Sequence, residues 1–147
     1  MNMNELLQAT GQVSVEVFGP DGNLKEKAHI PNLVVQVGRD FIASRMKDAT
    51  ETVMSHMAVG EDNTTPASGN TTLGTEVGRV SLDSTTVTNN IVTYVATFPA
   101  GTGTGGLEEA GIFNASSGGT MLCRTTFAIV NKAAAYSMVI TWAIIIS

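Results

Sequence analysis

The chain has 147 residues, a length that fits one domain with one core. With 43% of its residues apolar and 14% charged, it lies well outside the composition of disordered chains and is expected to fold. Eight Lys or Arg stand scattered against thirteen Asp or Glu, for a net charge of −5, so the clustered cations that give direct nucleic-acid binding its affinity are missing.

The start, Met1-Asn-Met-Asn-Glu-Leu-Leu7, carries neither a positive n-region nor an apolar h-region, so no secretory signal is expected and the protein is expected to be made and kept in a cytoplasm-like compartment until it assembles. Residues 1–10 are polar and lack a period, which predicts an N-terminal arm ahead of a single domain over residues 11–147. From Gln12 to Phe18, Val13, Val15 and Val17 alternate with Ser14 and Glu16, the period of a half-buried strand. Gly19-Pro-Asp-Gly-Asn23 reads as a turn, and Leu24 to Ile30 as the returning strand of a hairpin that Pro31 ends.

Next comes the one segment with helical spacing. Asn32 is a candidate N-cap, and Leu33, Val37, Phe41, Ile42 and Met46 recur every three to five residues with Arg39, Asp40, Arg45 and Lys47 between them. This predicts a single amphipathic helix near residues 33–48. Downstream, strands and polar turns alternate: His56 to Val59, Glu76 to Leu82, Thr85 to Thr88, Ile91 to Phe98, Gly111 to Phe113, Met121 to Ile129 and Ser137 to Ile146. Asn89-Asn90 suits a tight turn because Asn tolerates positive φ. Glu61 to Thr72 is a long polar loop, and Ala100 to Gly106 a glycine-threonine loop. Short strands at this spacing predict an all-β jelly roll or β-sandwich. The last strand is apolar on both faces, Val139, Ala143 and Ile145 on one and Met138, Ile140, Trp142, Ile144 and Ile146 on the other, so both faces are expected to be covered. No apolar run is long enough for a membrane-spanning helix.

Motifs that carry chemistry are sparse. Gly101-Thr-Gly-Thr-Gly-Gly106 matches the dinucleotide fingerprint by letter, but Pro99 precedes it and a strand, not a helix, is expected to follow, so it reads as a loop and no cofactor is expected. His29 and His56 are the only histidines and neither has a second ligand at metal-binding spacing; His56, between Met54 and Met57, reads as a packed residue. Glu61-Asp62-Asn63 and Glu108-Glu109 lack the spacing of a calcium loop and read as solvated turns. No Gly-x-Ser-x-Gly elbow is present, and Cys123, the single cysteine, reads as a buried strand thiol. The sequons at Asn63, Asn70 and Asn114 read as turn chemistry. No catalytic, metal or cofactor residue is therefore nominated, and a hydrolase or lyase on a jelly-roll scaffold would need metal ligands or paired carboxylates that two separated histidines hardly supply.

Three stretches carry a resemblance: Asn32-Leu-Val-Val-Gln-Val-Gly-Arg-Asp-Phe-Ile-Ala-Ser-Arg-Met46, Met54-Ser-His-Met-Ala-Val-Gly60, and Thr97-Phe-Pro-Ala-Gly-Thr-Gly-Thr-Gly-Gly-Leu-Glu-Glu-Ala-Gly-Ile-Phe-Asn114. Together they resemble small virion proteins of tailed bacteriophages, over roughly residues 11–147. The Glu109-to-Asn114 phrase also resembles tail-fibre and collar-associated phage proteins. The resemblance implies a jelly-roll capsid decoration (cement) protein that clamps neighbouring major capsid subunits as a dimer or trimer, with a tail-fibre, collar or baseplate component as the alternative. On that reading the partners are the chain itself and the major capsid protein, with no nucleic acid, membrane or small-molecule substrate. The expected interface comprises the arm residues Met1, Asn2, Met3, Asn4, Glu5, Leu6 and Leu7 and the strand residues Met138, Ile140, Trp142, Ile144 and Ile146, with Trp142 as an aromatic anchor. The loop from Glu61 to Thr72 is the third candidate surface.

Overall fold

Alternation in the first strand translates directly into burial. In a computed structural model that describes residues 7–147, β1 (Ala9–Phe18) turns Val13, Val15 and Val17 into the core. The chain reverses at residues 19–23, where Gly22 takes a φ of 80° and the Asp21 carboxylate accepts the Asn23 N–H at 2.9 Å. That hydrogen bond is the largest of the influences holding the Asp21 carboxyl below its usual pKa. β2 (Leu24–Val34) then pairs antiparallel with β1 from Leu24 to Asn32.

β2 does not end at Pro31. The strand runs through it, and Leu33 and Val34 cross to pair with Arg124 and Cys123 of β8 (Met121–Lys132). Leu33 and Val34 are thus strand, as β-branched valine favours, and Asn32 is no helix cap. Helix α1 (Gln36–Lys47) starts four residues later, with Val35 at its N-cap and no side-chain cap. Its Gln36 N–H donates instead to the Ser68 carbonyl at 2.7 Å. Gly38 lets the helix press onto β8: a Cβ there would lie 2.0 Å from the Leu122 carbonyl oxygen. Arg45 and Lys47 in the last turn complement the helix dipole.

The remaining strands are β3 (His56–Gly60), β4 (Glu76–Ser81), β5 (Ser84–Thr88), β6 (Ile91–Phe98), β7 (Gly105–Phe113) and β9 (Ser137–Ile146). All pair antiparallel, in the order β4-β3-β7-β8-β2-β1-β9-β6-β5. With 54% of residues in strands and 9% in helix, the all-β expectation holds. The β5–β6 hairpin turns at Asn89-Asn90 as expected, with Asn89 at a φ of 54°.

This one sheet curls into a sandwich because β2 belongs to both layers. Its first part pairs with β1 and so joins β9, β6 and β5; its last two residues join β8, β7, β3 and β4. Between the layers, Val13, Val15, Phe98, Ile140 and Trp142 from one meet Met57, Val59, Leu107, Ile112 and Cys123 from the other. A smaller second cluster of Val35, Ala58, Leu73, Phe113 and Met121 forms apart from it. Leu73 comes from the segment between β3 and β4, so that segment helps cover the second layer. That is why the last five residues of β7 are buried on both sides.

The sequence-based boundary at residue 10 shifts. Ala9 and Thr10 belong to β1, opposite Ile146 and Ile145, and Gln8 exchanges backbone hydrogen bonds with Ser147 at 2.6 and 2.8 Å.

Candidate functional site

The most elaborate polar arrangement in the described residues lies where residues 61–75 cross β7 and β8. In the β7–β8 register Glu109 stands opposite Thr126 and Gly111 opposite Arg124, so Glu109 and Arg124 are diagonal neighbours on one face. Both are buried, Glu109 fully and Arg124 to 2% exposure, and their side chains meet at 3.1 Å. A buried charge survives only when paired and hydrogen-bonded, and the loop supplies what the pair lacks.

One carboxylate oxygen of Glu109 accepts the Gly74 N–H at 2.8 Å and Arg124 Nε at 3.1 Å. The other accepts the Thr75 N–H at 2.7 Å and the Asp62 N–H at 3.1 Å. Arg124 in turn donates to the Thr64 carbonyl at 2.8 Å, and at 3.3 Å to both Asn70 Oδ1 and the Asp62 carbonyl. Gly60 gives the space: a Cβ there would stand 2.3 Å from the Thr75 carbonyl oxygen and 2.4 Å from Glu109 Oε2.

Further bonds tie the loop along its length. Glu61 N–H donates to the Thr75 carbonyl at 3.0 Å, closing its base. Asp62 Oδ1 accepts the Thr64 hydroxyl at 2.6 Å and the Thr64 N–H at 2.8 Å, and these two bonds lead in lowering the Asp62 pKa. Asn70 Oδ1 accepts the Ala67 N–H at 2.9 Å while Asn70 N–H donates to the Ala67 carbonyl at 3.0 Å. With Leu73 buried beneath and Ser68 capping α1, the segment is a fixed Ω-type loop. Asn63, Thr64, Thr65, Ala67, Ser68, Thr71 and Thr72 remain exposed on it.

Glu108-Glu109 is thus not a solvated turn. It lies inside β7, with Glu109 inside the staple. Arg124 stands out in the sequence as a lone charge within Met121-Leu-Cys-Arg-Thr125, but Glu109 follows Glu108 and nothing local marks it as the buried partner.

The other sequence candidates fall as follows. Gly101 and Gly103 take φ values of 85° and 64° in the turn into β7, so the glycine-threonine stretch opens a strand and not a phosphate-binding helix. His56 is half-buried between Ser55 Oγ, 2.8 Å from Nδ1, and Ser81 Oγ, 3.4 Å from Nε2. Arg79 caps the Phe113 ring at 3.9 Å while its Nη2 meets Glu76 at 2.7 Å. Cys123 is buried, which pushes its thiol pKa well up; burial and then the neighbouring Cys123 push the Tyr94 phenol up to about 12. Among the described residues no group of three or more His, Cys, Asp or Glu is placed to hold a metal ion.

Of the expected interface residues, Met1, Asn2, Met3, Asn4, Glu5 and Leu6 lie outside the described residues, and Leu7 is exposed. Met138, Ile140, Trp142 and Ile144 are inside the chain's own core, at most 3% exposed, so the folded chain consumes the surface that the apolar pattern advertised. The opposite face of β9, with Val139, Ala143 and Ile145, is half-buried. Trp142 Nε1 is buried without a hydrogen-bond partner, as are both polar atoms of the Asn32 amide.

Fold and site together define an all-β protein of sandwich type whose best-built polar feature immobilises a surface loop. No protein-family model matches the chain, and neither a curated protein nor a solved structure matches it.

Proposed function

We infer that the protein is a phage capsid decoration (cement) protein that binds the outer surface of an assembled head and bridges neighbouring major capsid proteins. The reading starts from the resemblance of residues 32–46, 54–60 and 97–114 to small phage virion proteins. The observation that carries it is the loop over residues 61–75, held by the Glu109–Arg124 pair with its polar side chains outward. A loop ordered before binding loses little entropy on binding, so its contacts convert into affinity. Its function is thermodynamic, not chemical: a protein that binds the assembled shell in preference to free subunits stabilises the shell by mass action.

Self-association as a dimer or trimer belongs to the same reading. The half-buried outer face of β9, carrying Val139, Ala143 and Ile145, is the apolar surface available to it. The alternative, a tail-fibre, collar or baseplate component, is favoured by the phage-like phrase from Glu109 to Asn114.

Copy number separates the two. Quantitative mass spectrometry of purified virions should give a ratio to the major capsid protein on the order of one for a protein that repeats with shell symmetry. A ratio of a few hundredths would transfer the protein to the tail or collar, and its complete absence would end the virion reading.

A further inference from the structure

The sheet ends on two strands of opposite character. On β4 the edge is protected: Arg79 and Glu76 pair on it at 2.7 Å, and the turn at Gly103 packs so closely on Gly78 that a Cβ there would stand 2.8 Å from the Gly103 backbone. β5 has none of the devices that keep an edge from pairing with another chain. All five of its residues, Ser84-Thr-Thr-Val-Thr88, are exposed, Val87 to 67%, and β6 is its sole neighbour in the sheet among the described residues. No charged residue occurs from Ser84 to Leu107, and no proline from Ser84 to Phe98. The strand is mostly β-branched, a composition that favours pairing. Its register shows what it offers. Thr88 and Ile91 close the two-residue turn at Asn89-Asn90 as a hydrogen-bonded pair, Thr86 and Thr93 form the next such pair, and Thr85 and Val87 therefore aim their backbone N–H and C=O groups away from β6.

We propose that this edge pairs antiparallel with the β5 of a second copy, about a two-fold axis through Thr86. In that register Thr85 of each copy stands opposite Val87 of the other, and each such pair exchanges both backbone hydrogen bonds, so the outward groups of the strand are satisfied. The edge is its own complement: it carries as many outward donors as acceptors, Thr86 meets Thr86, and Ser84 meets Thr88, with no like charges opposed. Asp83, the nearest charge, falls opposite Asn89. A neutral edge has nothing to steer or select a charged partner, whereas a second copy brings a strand of matching length, hydrogen-bonding pattern and neutrality. Its five residues a side bury less than the roughly 1,600 Å² of a standard interface, so the dimer is a weak one. The pairing is independent of the capsid reading, and it joins edges, not faces, which separates it from association through the outer face of β9.

Sedimentation velocity of the whole chain across a wide concentration range tests it, with Thr86→Lys and Val87→Pro variants beside it. The expected result is a monomer–dimer equilibrium, weakened about tenfold or more by Thr86→Lys, which sets two ammonium groups against each other at the axis. Val87→Pro should weaken it as well, since it removes an outward N–H and no hydrogen bond to β6. Thr86→Lys should keep the circular dichroism of the parent. Under mild oxidation Thr86→Cys should form a disulfide-linked dimer, because facing residues of a non-hydrogen-bonded pair lie about 4.5 Å apart at Cα. Ser84→Cys, roughly 13 Å from its counterpart, should not, and the native Cys123 is buried. A chain that stays monomeric at every concentration overturns the proposal. So does a dimer that Thr86→Lys leaves unchanged or that Thr86→Cys fails to link, since another surface would then hold it. Either failure leaves the capsid reading to be decided by head binding.

Discussion

Removing one member of the Glu109–Arg124 pair should be among the most damaging single changes available to this protein. Arg124→Met leaves a carboxylate buried with three backbone N–H donors and no counter-charge; Glu109→Leu leaves a guanidinium and deprives the Asp62, Gly74 and Thr75 N–H groups of their acceptor. Breaking a buried pair on one side costs about 3–5 kcal/mol, a large share of the roughly 5–15 kcal/mol that holds a domain of this kind together. The double variant Glu109→Leu/Arg124→Met removes both charges at once. It should therefore cost less than the sum of the singles by about 2–3 kcal/mol. Urea unfolding followed through Trp142 fluorescence gives these differences. Native-state hydrogen exchange locates them: in the double variant, protection of the Asp62, Gly74 and Thr75 amides should fall about tenfold or more further than that of Ile140 in the core. Single variants that cost under about 1 kcal/mol and add without coupling, as an exposed pair would, would refute the staple.

Other outcomes follow from the packing. Gly60→Ala should loosen the same loop, because its Cβ meets the Thr75 carbonyl and the Glu109 carboxylate; a cost of about 1–3 kcal/mol in urea unfolding is expected, and an unchanged midpoint would contradict the close approach. Trp142→Ala should destabilise the folded chain by about 3–5 kcal/mol, and Trp142→Phe by less, since the indole N–H has no partner to lose; a Trp142→Ala chain of unchanged melting temperature would return Trp142 to an interface role. Cys123 should resist thiol reagents at pH 8 until the protein unfolds, burial having raised its pKa, and prompt native reaction would contradict that. Lys132 donates to the Pro99 carbonyl at 2.9 Å, and burial lowers its pKa from 10.5. Between that lowered value and 10.5 the unfolded chain binds more protons than the folded one, so this group makes stability rise with pH. Lys132→Met should flatten the rise in denaturant titrations across that window, and an unaltered slope would exclude the effect.

Period-2 alternation made β1 and β9 legible in the sequence, and Asn89-Asn90 marked the β5–β6 turn. The chain from Pro31 to Val35 was misleading because β-branched residues at irregular spacing satisfy both a strand and the first turn of a helix. Pairing of Leu33 and Val34 with β8 decides between them, and that pairing is about ninety residues away in sequence. The same long reach hid the staple. Glu109 and the loop it holds are separated by 34 to 47 residues, so no local pattern distinguishes a buried carboxylate from an exposed one. Trp142 and its neighbours were legible as apolar, yet whether a second layer or a second protein covers them depends on how the sheet curls at β2.

The central claim is tested most directly by sedimenting the purified protein with assembled heads that lack it, alongside free major capsid subunits. The account predicts saturable binding to heads at about one copy per capsid subunit and negligible binding to free subunits. No binding to heads, or equal binding to heads and free subunits, would contradict it.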